Sequence, residues 1–317
     1  MLKFLAQRLF AVIPVLLVVA VIVFLILRLT PGDPAAVIAG NNATNDDIAR
    51  IRDQLGLSKP LLTQFWIWFS SVLQGDLGYS FYLNKPVTEL IGQRIEPTLS
   101  LAAGTLLISV LVAVPLGTLA AWRMGGWLDR VLSGFSVAGF SIPVFVVGYV
   151  LIYVFSIQLQ WLPVQGYRRL FGSSSQGLGA WAYQLVLPWI TLSTIYVALI
   201  ARVTRASVSE ALTEDYIRTA RAKGLREFAV LMRHALANAA VPIATVIGIG
   251  VALLIGGVVV TETVYAIPGL GSLTVDAVLN RDFPVIQGVV LFFSALYVVV
   301  NLLVDLSYLA LDPRIRY

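Results

Sequence analysis

Leu99–Trp122 reads LSLAAGTLLISVLVAVPLGTLAAW, twenty-four consecutive residues without a charge. As a helix at 1.5 Å per residue it would measure about 36 Å, enough to cross a hydrocarbon core of about 30 Å. Working outward, five more apolar runs qualify: Leu9–Leu29 before it, and Val131–Ile157, Gln184–Ile200, Val241–Thr261 and Val285–Tyr308 after it. The reading is an all-α membrane protein with about six transmembrane helices, organised as one transmembrane domain over residues 1–317. Gln184–Ile200 is the shortest run and contains Pro188, while Pro14, Pro115 and Pro143 interrupt others. Such breaks are tolerated where neighbouring helices satisfy the freed backbone groups, which argues for a packed bundle. The fifth run carries Gly248, Gly250, Gly256 and Gly257, residues that let helices approach closely.

Composition agrees. Hydrophobic residues make up 58% of the 317 and charged residues only 12%, against about 25% charged in soluble domains. There is no cysteine, which excludes disulfides, thiol nucleophiles and cysteine metal sites. The formal charge of +5 is read as basic cytoplasmic loops and not as nucleic-acid binding. No small-residue cleavage site follows the first run, so it is read as a retained span.

Lys and Arg set the orientation. Lys3, Arg8, Arg123, Arg130, the segment Arg202–Asn238 and the tail with Arg314 and Arg316 fall on one side. Both termini are therefore expected in the cytoplasm, with residues 202–238 as a cytoplasmic loop and residues 30–98 as a long outer segment. In that segment Asn45 can cap a helix beginning with Asp46 and Asp47, and Ile48, Ile51 and Leu55 follow at helical spacing. Gly56 or Gly75 can end helices. Phe65, Trp66, Trp68 and Phe69 form an aromatic cluster, read either as a membrane-interface anchor or as a docking surface.

The most informative cytoplasmic stretch is Leu212-Thr-Glu-Asp-Tyr-Ile-Arg-Thr-Ala-Arg-Ala-Lys-Gly-Leu225. Thr213 is placed to cap a helix whose first turn holds Glu214 and Asp215. Its last turn holds Arg221, Ala222 and Lys223, and Gly224 is its stop. Glu214 and Arg218 are four apart in the favourable order. Tyr216, Ile217 and Ala220 share a face, while Thr219 and the arginines lie off it, short of acidic neighbours. A short capped helix here either rests on lipid headgroups or docks on a protein.

Several catalytic classes lack their residues. No Gly-x-x-x-x-Gly-Lys-[Ser/Thr] loop is present, so ATP binding by this chain is not expected. His234 is the only histidine, and no Gly-x-Ser-x-Gly elbow appears. No metal-ligand set is visible. A self-sufficient channel or secondary transporter, the rival class, would show ionisable residues at mid-membrane and an internal repeat; neither is evident.

Several stretches resemble one family. Arg218-Thr-Ala-Arg-Ala-Lys-Gly224 with His234-Ala-Leu-Ala-Asn-Ala-Ala-Val-Pro242 is similar to the cytoplasmic loop of permease subunits in bacterial ABC importers of the dipeptide, oligopeptide and nickel class. Leu29-Thr-Pro-Gly-Asp-Pro34, Gly75-Asp-Leu-Gly-Tyr-Ser80, Glu262-Thr-Val-Tyr-Ala-Ile-Pro-Gly-Leu-Gly271 and Leu311-Asp-Pro-Arg-Ile-Arg-Tyr317 agree, in order. The long outer segment resembles the first of that family's two permease types. The resemblance implies a type I importer permease of the bacterial inner membrane, passing peptides, or alternatively nickel chelates, glutathione or other small solutes. It implies a second, different permease, two ATPase subunits that use ATP and Mg, an external solute-binding protein, and no cofactor on this chain. Thr213–Lys223 would be the coupling helix. The wider importer motif opens Glu-Ala-Ala; the matching places here hold Arg218, Thr219 and Ala220, so no glutamate-specific contact carries over. The region of Gly256, Gly257 and Glu262 resembles the family's outer gate.

Two further charges lie at the span ends. Arg28 is expected to snorkel outward. Asp305, four residues after Asn301 in the sixth run, is a candidate for pairing with a basic group of a neighbouring helix or subunit.

Overall fold

The computed structural model describes residues 2–29, 35–36, 44–54, 56–172 and 175–311. Most of Leu29–Pro34, Leu55 and the tail from residue 312, with Arg314 and Arg316, lie outside the described residues.

Helix α1 is Leu2–Leu29, α2 Asn45–Gln54 and α3 Leu61–Leu73. A two-stranded antiparallel hairpin, β1 (Tyr79–Ser80) and β2 (Lys85–Pro86), leads into α4, Val87–Trp122. Then come α5 (Trp127–Ser141), α6 (Val144–Leu151, prolonged by a π-helical turn Ile152–Gln158), α7 (Leu178–Thr213) and α8 (Asp215–Ala222). Residues 227–238 form α9, which contains a second π turn, Val230–Ala235. The chain continues with α10 (Ala240–Val264), α11 (Leu270–Leu279) and α12 (Phe283–Leu311).

Among the described residues four helices are long and apolar enough to span: α4, α7, α10 and α12 over Phe283–Leu306. The pair α5 and α6 together makes a fifth, and the described apolar stretch of α1 is Phe10–Ile26. The expected count of about six is thus approached. The third run, expected as one span interrupted at Pro143, is two pieces bent by 104°. Ile142 is extended (φ −93, ψ 121) and Pro143 has no N–H to donate, so the helical ladder stops and restarts.

Two other boundaries move. The second span begins at Val87, twelve residues before the apolar run, because Val87, Leu90, Ile91 and Thr98 already recur at helical spacing on a buried face. The expected loop 202–238 opens as helix: α7 continues to Thr213, burying Ala201, Thr204, Val208 and Ala211. That three-four spacing is a helix-packing seam written in small residues.

By contacts the chain divides into two compact units: Met1–Ile95 with Leu273–Val298, and Glu96–Ser272 with Val299–Tyr317. In the first, Arg28 is held by neighbouring side chains. Its guanidinium lies 3.7 Å from the Phe24 ring centroid and donates to the buried Gln64 side chain of α3 at 3.1 and 3.2 Å. Phe65 and Trp68 pack on the buried Phe24 at 5.2 and 5.7 Å between centroids, so half of the aromatic cluster turns inward and is half-buried, while Trp66 stays exposed. The segment Gly75–Ser80 is a turn device: Asp76 accepts from the Gly78 N–H at 2.9 Å, and the buried Ser80 hydroxyl donates to Asp282.

In the second unit α7 is central. A Cβ at Gly117 (α4) would meet the Ala201 carbonyl at 2.6 Å, one at Gly139 (α5) the Ala198 methyl at 2.9 Å, and one at Gly257 (α10) Leu192 at 2.8 Å. Three helices therefore close on α7 through missing side chains. In a membrane that closeness matters, because lipid tails are as apolar as leucine and packing must supply the attraction. Leu101, Leu185, Leu192, Tyr196, Ile200, Leu254 and Val258 fill the resulting core.

Candidate functional site

Two places combine unusual sequence with defined geometry, both in the second unit: the α7–α8–α9 corner and the turn between α10 and α11.

At the corner, the Thr213 hydroxyl donates backward to the Glu210 carbonyl at 2.7 Å and so closes α7. It does not cap α8. The extended Glu214 (φ −71, ψ 151) holds the capping position, and its carbonyl accepts from the Ile217 N–H at 3.1 Å. Gly224 stops α8 as expected. With φ +74 it lets its N–H reach the Arg221 carbonyl at 2.9 Å and the Leu225 N–H reach that of Ala220 at 3.4 Å, a Schellman closure.

Ile217 is fully buried and Ala220 nearly so, set among Val208, Ala211, Val230, Leu231, Ala235 and Ala239. That cluster fastens α8 to both helices flanking it. The other face, with Asp215, Tyr216, Arg218, Thr219, Arg221, Ala222 and Lys223, is exposed. The arginines do find acids. Arg218 takes Asp215, three residues back, at 3.2 Å in place of Glu214. Arg221 bonds both carboxylate oxygens of Glu227 at 2.9 and 3.2 Å, tying α8 to α9. The Glu227 pairing was missed because the partner lies beyond the Gly224 turn. Partial burial, reinforced by the Glu214 charge, raises the Tyr216 phenol above its usual range, so it stays a neutral donor.

At the second place Glu262 is completely buried. Its carboxylate accepts from the Thr98 hydroxyl at 2.6 Å and from the Ser272 N–H at 2.9 Å. The Leu270 N–H donates to the Thr98 oxygen at 2.8 Å, so a threonine and a glutamate together satisfy the first turn of α11. Gly269 and Gly271 are required here. A Cβ at Gly269 would fall 2.0 Å from the carboxylate, and one at Gly271 would fall 2.6 Å from the Val259 Cα. Tyr265, also buried, bonds the Thr191 hydroxyl at 2.6 Å. The geometry makes Glu262 the organiser of the Gly269–Gly271 turn. Of the two glycines singled out with it, Gly257 packs on α7 and Gly256 faces open space. Asp305 lies half-buried on α12.

One element escaped the sequence reading. Asp129 on α5 is buried and holds Arg205 of α7 in a two-pronged ion pair, with Arg205 Nη2 at 2.9 Å from Oδ2 and Nε closing the other prong. The available signal was that Asp129 is the only acid between Glu96 and Glu210. Among the described residues no group of three His, Asp or Glu side chains is placed to hold a metal ion.

Over residues 113–317 the chain matches the family described as "Binding-protein-dependent transport system inner membrane component", and over residues 1–102 the corresponding N-terminal family. It is 55% identical over 314 residues to the "Probable peptide ABC transporter permease protein y4tP" of Sinorhizobium fredii, covering 99% of each chain. It is 44% identical over 317 residues to the "Glutathione transport system permease protein GsiC" of Salmonella typhi, covering 100% of each. In fold it resembles a chain of the methionine ABC transporter MetNI in an inward-facing conformation. The TM-score is 0.58 at 18% identity, covering 70% of this chain and 96% of that one.

Proposed function

The chain belongs to the family of inner-membrane components of binding-protein-dependent transport systems, and from that premise, a permease subunit of an ABC importer and not an enzyme, we propose that it passes peptides across the bacterial inner membrane. Residues 1–317 act as one transmembrane domain, with 30–98 outside and 202–238 facing the cytoplasm. A second, different permease completes the pathway. Two ATPase subunits, which hold the ATP and Mg, dock below, and a solute-binding protein delivers the cargo from outside. The peptide relative supports the substrate class. The glutathione relative supports a small peptide as cargo, glutathione being a tripeptide.

One observation carries the mechanism: α8 buries Ile217 and Ala220 against the helices on both sides of it and presents its remaining face outward. We assign residues 213–224 as the coupling helix. A helix anchored in this way moves with α7 and α9 as a body, so nucleotide-driven movement of a docked ATPase becomes movement of the bundle. Coupling needs two discrete arrangements that both sites bias, and a rigid joint supplies the connection. Glu262 fixes the opposite end of α10, where Gly256 and Gly257 form part of the outer gate. Asp305 is a contact to another subunit.

The test is co-purification. The tagged chain, expressed with its neighbouring genes and solubilised in mild detergent, should elute with an ATPase and a second permease. Tyr216→Ala with Arg218→Glu should release the ATPase alone. Reproducible recovery of this chain by itself, active in reconstituted vesicles, would replace the importer reading with a secondary transporter.

A further inference from the structure

A cleft of about 460 Å³ opens between α5 and α7. Its depth can be read from two contacts. Asp129 meets Arg205, and the Ser136 hydroxyl meets the Ala198 carbonyl at 3.4 Å. These fix an antiparallel register in which Arg202 lies level with Leu132 and Ser133. Lined from Leu132 to Ser141, the cleft climbs about 14 Å along α5. Its lower end is marked as a membrane interface. Trp122 and Trp127 are exposed there, and the Arg123 guanidinium lies 5.5 Å from the Trp122 ring. Such a belt sits at headgroup level, on the side that the basic residues assign to the cytoplasm.

The walls differ in character. Arg202 and the Ser133 hydroxyl occupy the lower half, while Val137 and Phe140, both at least half exposed, form the upper half. The two arginines are not equivalent. Arg205 is neutralised by Asp129, whereas Arg202 has no ion pair or side-chain hydrogen bond among the described residues. No acid other than Asp129 lies on either helix near the cleft to serve it. An unpaired guanidinium at the edge of the hydrocarbon, beside a hydroxyl and below an exposed apolar wall, is matched by an anionic phosphodiester carrying acyl chains. A planar guanidinium suits phosphate oxygens, and basic pockets between helices on the cytoplasmic side take anionic headgroups.

We propose that this cleft binds one anionic glycerophospholipid, its phosphate on Arg202 and Ser133 and its chain along Val137 and Phe140. The lipid would wedge between α5 and α7 next to the Asp129–Arg205 pair.

The full chain in detergent is titrated with phosphatidylglycerol, phosphatidylethanolamine or inorganic phosphate, and the bound species are counted by native mass spectrometry. One phosphatidylglycerol should bind at lower concentration than phosphatidylethanolamine. Arg202→Gln should weaken it about tenfold, the loss of one charge-assisted contact. Arg202→Lys should weaken it less, and Arg130→Gln, outside the cleft, should leave it unchanged. Equal binding of the two lipids, equal losses in the Arg202 and Arg130 variants, or displacement by millimolar inorganic phosphate would overturn the proposal. The absence of native cysteine permits one more arm. Val137→Cys in the co-purified complex should react with a lipid-phase maleimide; crosslinking of that cysteine to another subunit would make the cleft a protein interface and sink the lipid reading.

Discussion

The Glu262 turn and the α8 corner both rest on a helix meeting a short segment, yet they are built in opposite ways. At Glu262 every named donor is turned inward, the carboxylate is sealed from solvent, and glycines replace side chains that would not fit. At α8 two residues face inward and the rest face out. The first arrangement holds a single shape and offers nothing to a partner. The second spends little on its own fold and presents a face. A transmitted movement needs both, an end that holds form and an end that is gripped.

If that contrast is right, substitutions at the two places separate stability from coupling. The largest effect is expected for Glu262→Ala, which strands the donors of Thr98 and Ser272 in a sealed cavity. Thermal unfolding of the purified protein in detergent should show a loss of about 3–5 kcal/mol. Glu262→Gln keeps the volume and an acceptor and should lose less; transport unchanged in that variant would end the gate assignment. Next comes Ile217→Ala at the corner, with a loss of about 2–4 kcal/mol from an emptied core position. The Ile217→Ala protein should also bind ATPase less well, since the outward face loses its foundation. Gly271→Ala follows, at about 1–3 kcal/mol, because the new methyl meets the Val259 backbone. Smallest in stability is Arg218→Gln, within about 0.5 kcal/mol because its Asp215 pair is exposed. That variant should nonetheless lose ATPase in a pull-down. A stability loss there as large as at Ile217, with ATPase retained, would erase the contrast.

Legibility in the sequence followed the same division. Long uncharged runs are read by length alone, and Gly224 is read because few other residues tolerate a positive φ. The other end of α8 was misplaced by one residue: the Thr213 hydroxyl had a choice of partners and took the preceding turn. The extension of α7 was hidden because Ala201, Thr204, Val208 and Ala211 are small and interleaved with Arg202 and Arg205, so hydropathy falls while packing continues. Pro14, Pro115 and Pro188 sit within continuous helices and only Pro143 marks a 104° bend; its local sequence does not set it apart from the others. Glu262 was visible as an odd charge beside glycines. Its partner Thr98 lies 164 residues away, and no periodicity connects them.

Helix α7 has 36 residues and no break, which makes it a rod of about 54 Å. Its foot abuts α8, so under the coupling role proposed above it is a lever whose short input is applied at one tip. A tilt of about 5° pivoting at that foot would sweep the far tip sideways by about 5 Å, roughly one helical pitch. No hinge along the rod is needed, and Gly117, Gly139 and Gly257 are the points where neighbouring helices bear on it. On that proposal displacement is greatest at the end farthest from α8, where α7 begins at Leu178.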